Sequence, residues 1–192
     1  MWIELQGGNI PAFKIKIGEN MKYWFTSDEH YGHHNIIKYC NRPFSSVGEM
    51  DEILIQNHNK VVKKEDIVLH GGDFTLKRRD EAFKYINELN GKHFFVRGSH
   101  DYWMKNLEFH ELWEKKINGQ YVVVCHYAMR VWPRSHYGSW QLYGHSHGKL
   151  EPIEKQHDIG VDNNKFFPVS FEEIVEIMKT KDDNPNIGHR RK

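Results

Sequence analysis

Two cysteines in 192 residues, Cys40 and Cys125, are too few for a disulfide framework. They read as free thiols of a reducing compartment. No apolar run approaches the roughly 20 residues that a membrane-spanning helix needs, and the mean hydropathy is −0.75. A basic start followed by an apolar stretch is also missing, so no signal peptide is read; the expected location is cytoplasmic, with no membrane partner. Charge of neither sign is in excess: 27 Lys and Arg stand against 26 Asp and Glu, a net +1. That balance disfavours a protein whose main task is coating nucleic acid. Without repeats or low-complexity tracts, the chain reads as one domain with a sizeable core and small additions.

Histidine is what the chain has in plenty, with 14 residues. Five apolar runs each deliver Asp or His at their C-terminal end: Tyr23–Phe25 before Asp28 and His30, Ile67–Leu69 before Asp73, Lys92–Arg97 before His100, Tyr121–Cys125 before His126, and Trp140–Tyr143 before His145 and His147. Ligand sites of α/β sheets gather outside the carboxyl ends of the strands. An Asp-x-His pair at a strand end can put a hard oxygen and a borderline nitrogen on one divalent ion. In Gly144-His145-Ser146-His147 both rings can face one ion, or each can serve one of two adjacent ions. By contrast His70, His93, His110, His136, His157 and His189 read as ordinary packed or surface residues.

The elements between these runs complete an α/β pattern. Residues 1–20 alternate like a β-hairpin extension, 21–180 form the main domain, and 181–192 read as a polar, disordered tail. Helices are expected over His34–Asn41, after a Ser46 cap, over Arg79–Asn90 with Phe83, Ile86 and Leu89 inward, and from a Ser170-x-x-Glu173 capping box to about Lys179. Lys149–Asp162 reads as a hairpin.

Asp28-Glu29-His30, Gly72-Asp73, Gly98-Ser99-His100-Asp101, Cys125-His126 and Gly144-His145-Ser146-His147 occur in the order and rough spacing of the calcineurin-like metallophosphoesterases. Over about residues 21–180 the chain resembles the short bacterial and phage members of that family. The resemblance implies a four-layer αββα sandwich of two mixed β-sheets flanked by helices, with two divalent metal ions at the strand ends. Manganese is the first choice, with Fe, Zn and Ni as the others. Asp28, His30 and His147 would hold the first ion, His126 and His145 the second, and Asp73 would bridge them. Position 99 completes the second ion's set with Asn in the family. Here it is Ser99, a shorter and weaker ligand, from which lower occupancy and reduced turnover are expected. A second departure is Leu76, where many relatives carry Asp or Asn to orient the motif histidine, leaving Asp101 or another group to fix the tautomer of His100.

Two ions about 3.5 to 4 Å apart can hold a hydroxide as nucleophile and screen phosphate charge. His100, with Asp101 behind it, is the candidate catalytic pair. Arg42, Arg97 and Arg130 are candidate phosphate clamps, Arg78 and Arg79 read as solvated, and His33 and His34 are candidates to line the pocket. Aromatic residues near these loops suit a nucleobase, so a nucleotide-type phosphodiester is the preferred substrate. Lacking a second domain to grip long nucleic acid, the chain fits a small phosphorylated substrate better. The alternatives are a catalytically impaired phosphate- or nucleotide-binding protein on the same fold, and a nuclease acting on DNA or RNA ends.

Overall fold

The computed structural model describes the backbone of residues 2–3 and 15–16, and residues 21–107 and 109–184 in full. β1 (Trp2–Ile3) and β2 (Ile15–Lys16) pair antiparallel in a sheet of their own. The rest of the 1–20 extension and residues 185–192 of the tail lie outside the described residues.

The fold is α/β, with two mixed four-stranded sheets flanked by helices. In the first sheet β3 (Tyr23–Thr26), β4 (Ile67–His70) and β5 (Lys92–Phe95) run parallel, and β10 (Val169–Ser170) lies antiparallel to β3. In the second, β6 (Leu112–Ile117) is an antiparallel edge to β7 (Gln120–Cys125), which continues in parallel to β8 (Trp140–Tyr143) and β9 (Gln156–Asp158). Apolar runs such as Ile67-Val68-Leu69 suit strands buried on both faces. Phe25, Ile67 and Leu69 pack with Val122, Val124 and Leu142 in one cluster, while Trp24 and Val68 pack with Val62 at the end of the neighbouring helix.

α1 (His34–Tyr39), α2 (Val47–Val61) and α3 (Arg79–Glu88) contribute Ile36, Met50, Leu54 and Ala82 to a second cluster with Tyr31, Phe74 and Trp103. α2 starts where Ser46 accepts the Glu49 N–H, and its buried Met50, Leu54 and His58 recur every four residues along one face. α4 (Phe171–Lys179) opens on the expected capping box, in which Ser170 accepts the Glu173 N–H and Glu173 accepts the Ser170 N–H. Its Phe171, Ile174 and Met178 enter the inter-sheet cluster.

Several local expectations need correction. Phe83 is 42% exposed and Ala82 is the buried residue of α3, because the helix turns a small side chain toward the core and leaves the ring against Trp103 at its rim. Lys149–Asp162 forms no hairpin: β9 is its single strand and pairs with β8 instead. The edge strand β6 was not anticipated, since Glu114-Lys115-Lys116 hides its alternation. The start of the tail is anchored, with Asn184 buried and donating to the carbonyls of Ser135 and Ser139.

The register decides where the chemistry sits. Thr26 is level with His70 and His70 with Phe95, so the loops after β3, β4 and β5 leave one edge together. Ser27 bridges Gly160 beyond β9, the Val161 N–H donates to the Ser27 carbonyl, and the Gly144 N–H donates to the His126 carbonyl. These bonds draw the strand ends of both sheets to one place.

Candidate metal centre

Five loops converge on that edge. Asp28, His30 and His147 offer ligand atoms within 4.8 Å of one another, and so do Asp73, His126 and His145. Asp73 sits between the two groups: its Oδ2 is 3.4 Å from His126 Nε2, 3.7 Å from His30 Nε2 and 3.9 Å from His100 Nε2. The expected six residues are therefore brought together as two groups of three, Asp73 falling with His126 and His145.

Their backbone is unusual. Asp28 (φ +59°), His30 (+53°), Asp73 (+56°), His145 (+68°) and His147 (+49°) all lie in the left-handed region. Side-chain-bearing residues seldom adopt it, and such strain persists where the surroundings impose it, as at ligand sites. Two glycines make the convergence possible: a Cβ at Gly98 would collide with the Asp73 carboxylate, and one at Gly144 with Ser27 and the Asp28 carboxylate.

The donor atoms are left unspent. His30 is 1% exposed, yet neither ring nitrogen has a hydrogen-bond partner, and the buried Nε2 of His126 has none either. Buried polar atoms are ordinarily satisfied, so nitrogens aimed at carboxylates without bonding them fit a cation between them. The His126 Nδ1 faces the Gly71 carbonyl at 2.9 Å, an arrangement that fixes the tautomer and leaves Nε2 as the ligand. Asp28 accepts the His145 N–H. Burial nevertheless pushes its carboxyl up to about 7, against the opposing influence of His126 and His147. Burial pushes His30 down to about 2, so that ring is neutral and free to ligate. For Asp73 burial again acts upward, but the His126 ring and the His100 N–H outweigh it and hold the carboxyl below the usual range. Mixed imidazole and carboxylate donors suit a divalent transition ion.

No family model matches the chain. The uncharacterized protein MJ1445 of Methanocaldococcus jannaschii is 34% identical over 167 residues, covering 82% of this chain and 92% of its own. The chain belongs to the MJ1445 family. The crystal structure of AQ665 from Aquifex aeolicus, a protein of unknown function, is similar in fold, with a TM-score of 0.64 at 22% identity over 82% of this chain and 100% of its own. A solved archaeal phosphodiesterase superposes more loosely, with a TM-score of 0.42 at 17% identity over 79% of this chain and 99% of its own.

In this MJ1445-family chain the other expected residues divide. Ser99 stays beside Asp73, with its Oγ 3.3 and 3.2 Å from the two carboxylate oxygens. His100 has a side chain 41% exposed next to Asp73. His33 turns its ring to within 5.4 Å of His30 and 6.3 Å of His100, and its Nδ1 is buried without a partner. His34 is exposed in the first turn of α1.

Three expectations are corrected, those for Asp101, Arg42 and Arg97. Asp101 is no partner for the His100 ring: its carboxylate accepts N–H bonds from Asp73, Phe74, Gly98 and the Trp103 indole, and so pins the loop that presents Asp73. Arg42 is no phosphate clamp, because its guanidinium is buried on Asp162 and on the carbonyls of Asp28 and Glu29. Arg97 lies over the Phe109 ring and 3.8 Å from Glu111. Arg130 is exposed. The sequence reading passed over Asp162, which faces His147 Nδ1 at 2.7 Å; a lone Asp in Gly-Val-Asp-Asn-Asn carries no motif to reveal it.

Proposed function

We propose that the chain is a dinuclear metal-dependent phosphohydrolase, most suited to a phosphodiester of nucleotide type. One observation supports this above the rest: two groups of three ligand residues share an edge of the sandwich with Asp73 between them, and buried ring nitrogens there have no partner. Asp28, His30 and His147 would hold one ion and His126 and His145 the other, with Asp73 common to both and Ser99 a weak neighbour of the second. Divalent ions so held lower the pKa of bound water and neutralise phosphate charge.

The remaining work falls to the chain's own side chains. His100, half-exposed beside Asp73, is placed to give a proton to the leaving oxygen or to steady the equatorial oxygens. His33 can add a hydrogen bond to a phosphate oxygen through its unspent Nδ1. Tyr127 is 49% exposed with its ring 4.8 Å from His145, and the exposed Tyr39 lies 6.3 Å from His33. Exposed aromatic rings beside a phosphate site suit a nucleobase. With Arg42 and Arg97 engaged elsewhere, phosphate charge would rest on the ions and the histidines. That fits a compact substrate better than a long polyanion.

Ser99 supports a second reading, a binding protein with little turnover, because its hydroxyl is spent toward Asp73. A panel of generic phosphodiester, phosphomonoester, cyclic nucleotide and oligonucleotide, run with Mn²⁺ on the Ser99 and Ser99→Asn proteins, separates the two. Hydrolysis of the diester, raised about 10- to 100-fold by Asn, is the expected result. Two bound ions with no turnover in either protein would establish the binding role. Turnover confined to oligonucleotides and steeply salt-dependent would indicate a nuclease.

A further inference from the structure

His147 differs from the other ligand residues in having a carboxylate behind it. Its Nδ1 lies 2.7 Å from Asp162 Oδ2. Asp162 is in turn gripped at both oxygens by Arg42, from Nε at 2.7 Å to Oδ1 and from Nη2 at 2.8 Å to Oδ2. The same guanidinium reaches the opposite way, donating to the Asp28 carbonyl at 2.7 Å and the Glu29 carbonyl at 2.9 Å. Arg42 is 5% exposed, and the planar fork of an arginine suits such a set of acceptors. Asp162 is itself on a fixed loop: the Val161 N–H bonds Ser27, and Asn163 and Asn164 donate to the Asp158 carbonyl.

We propose that Asp162 is the positioning residue for His147, with Arg42 as the clamp that ties this pair to the Asp28–His30 loop. The inference rests on the two-metal reading above and concerns its first ion. A carboxylate on Nδ1–H sets the tautomer that leaves Nε2 free to ligate, and raises its basicity. Arg42 adds a link between the two sheets, because Asp28 and His30 follow β3 whereas His147 follows β8 and Asp162 follows β9. One side chain thereby ties the loop that bears Asp28 and His30 to the partner of His147. Cys40 Sγ, a ring nitrogen of His147 and an Asp162 oxygen also lie within 4.8 Å of one another. The guanidinium already neutralises that carboxylate, so the trio is an unfavourable place for a cation.

The test is a Mn²⁺ titration of the metal-free full chain, followed by the EPR signal of free Mn²⁺, with a thermal melt of each apo protein beside it. Wild type binds two ions. Asp162→Ala weakens one of them by about 10- to 100-fold and leaves the other as it was. Asp162→Asn recovers much of the loss, since an amide oxygen still accepts from Nδ1–H, and Cys40→Ala binds as wild type does. Arg42→Lys, which keeps the charge and loses the fork, weakens the same ion roughly severalfold and stands in should Asp162→Ala not fold. Wild-type affinity for both ions in folded Asp162→Ala or in Arg42→Lys would overturn the positioning role alone. A loss in Cys40→Ala equal to that in Asp162→Ala would move the ion into the cysteine trio. A wild-type chain that binds no ion would remove the parent reading with it.

Discussion

Two clusters of imidazole and carboxylate lie on either side of the same stretch of chain, and they are built on opposite rules. On the outer side stand Asp28, His30, Asp73, His126, His145 and His147, mostly on left-handed backbone and with buried ring nitrogens unpaired. On the inner side His70 and His93 sit on β4 and β5 and His58 on α2, while Glu29 reaches them from the loop after β3. There His70 Nδ1 faces Glu29 Oε1 at 2.8 Å, His70 Nε2 faces His93 Nδ1 at 2.9 Å, and His58 Nε2 faces the Asn90 carbonyl at 2.8 Å. The inner rings are paired: His58 and Phe95 stack on His70, and His93 is tilted beside it. Histidine content does not distinguish a ligand site from a polar core; unspent ring nitrogens and imposed backbone strain do.

The comparison breaks most sharply at Asp73. Asp73→Ala should abolish binding of both ions and lower hydrolysis by more than about 100-fold, since even outer partners of metal ligands cost 10- to 100-fold. Retained turnover, measured with added Mn²⁺, would remove the shared role of that carboxylate. On the inner side, His70→Leu strands Glu29 and His93 in the core and should cost about 3 kcal/mol of stability. Its Mn²⁺ affinity should stay at the wild-type level; a joint loss in urea unfolding and metal titration would mean that the clusters are one.

Acid gives a smaller effect that sharpens the contrast. Burial holds His58, His70 and His93 down at about 3 against 6.5 when exposed. The unfolded chain therefore binds protons between pH 6.5 and 3 that the folded chain refuses, and stability falls as pH drops through that window. Each such proton is worth about 1.4 kcal/mol per pH unit. His30, held down at about 2, adds a fourth such proton, whereas Glu29 and Asp28, both pushed up by burial to about 7, work the other way as pH falls from 7 and offset two of the four. In urea titrations of the apo protein at pH 7 and pH 5, His70→Leu should lose less stability on acidification than wild type. An equal or larger loss would show that the inner histidines do not resist protonation.

Much of this was readable in the chain because the signals were local. Apolar runs ending in Asp or His marked the strand ends, Ser46 and Ser170 marked two helix starts, and the plain reading of His70 and His93 as packed residues holds. The misses share a cause, dependence on distant partners. Arg42 beside a motif looks available for phosphate until Asp162, 120 residues on, is seen to occupy it. Asp101 looks like a partner for its neighbour His100 until the turn aims it at the Asp73 loop instead. β6 is an edge strand whose exposed face carries charge, and the stretch from Lys149 to Asp162 holds only the short strand β9 because β8 offers it a parallel neighbour. Ring proximity at His33 depends on the fold of the loop, which spacing alone does not fix.

The alternation through Asp28, Glu29 and His30 has a consequence for tolerance to change. Odd and even members of this tripeptide serve different masters: the flanking pair faces His147, and the middle carboxylate reaches the other way to His70. Adding or deleting one amino acid there would swap the roles, sending a ligand toward the His70 cluster and the carboxylate of Glu29 toward Asp73. Loop length at this point is thus as strict a requirement as the identity of any side chain in it.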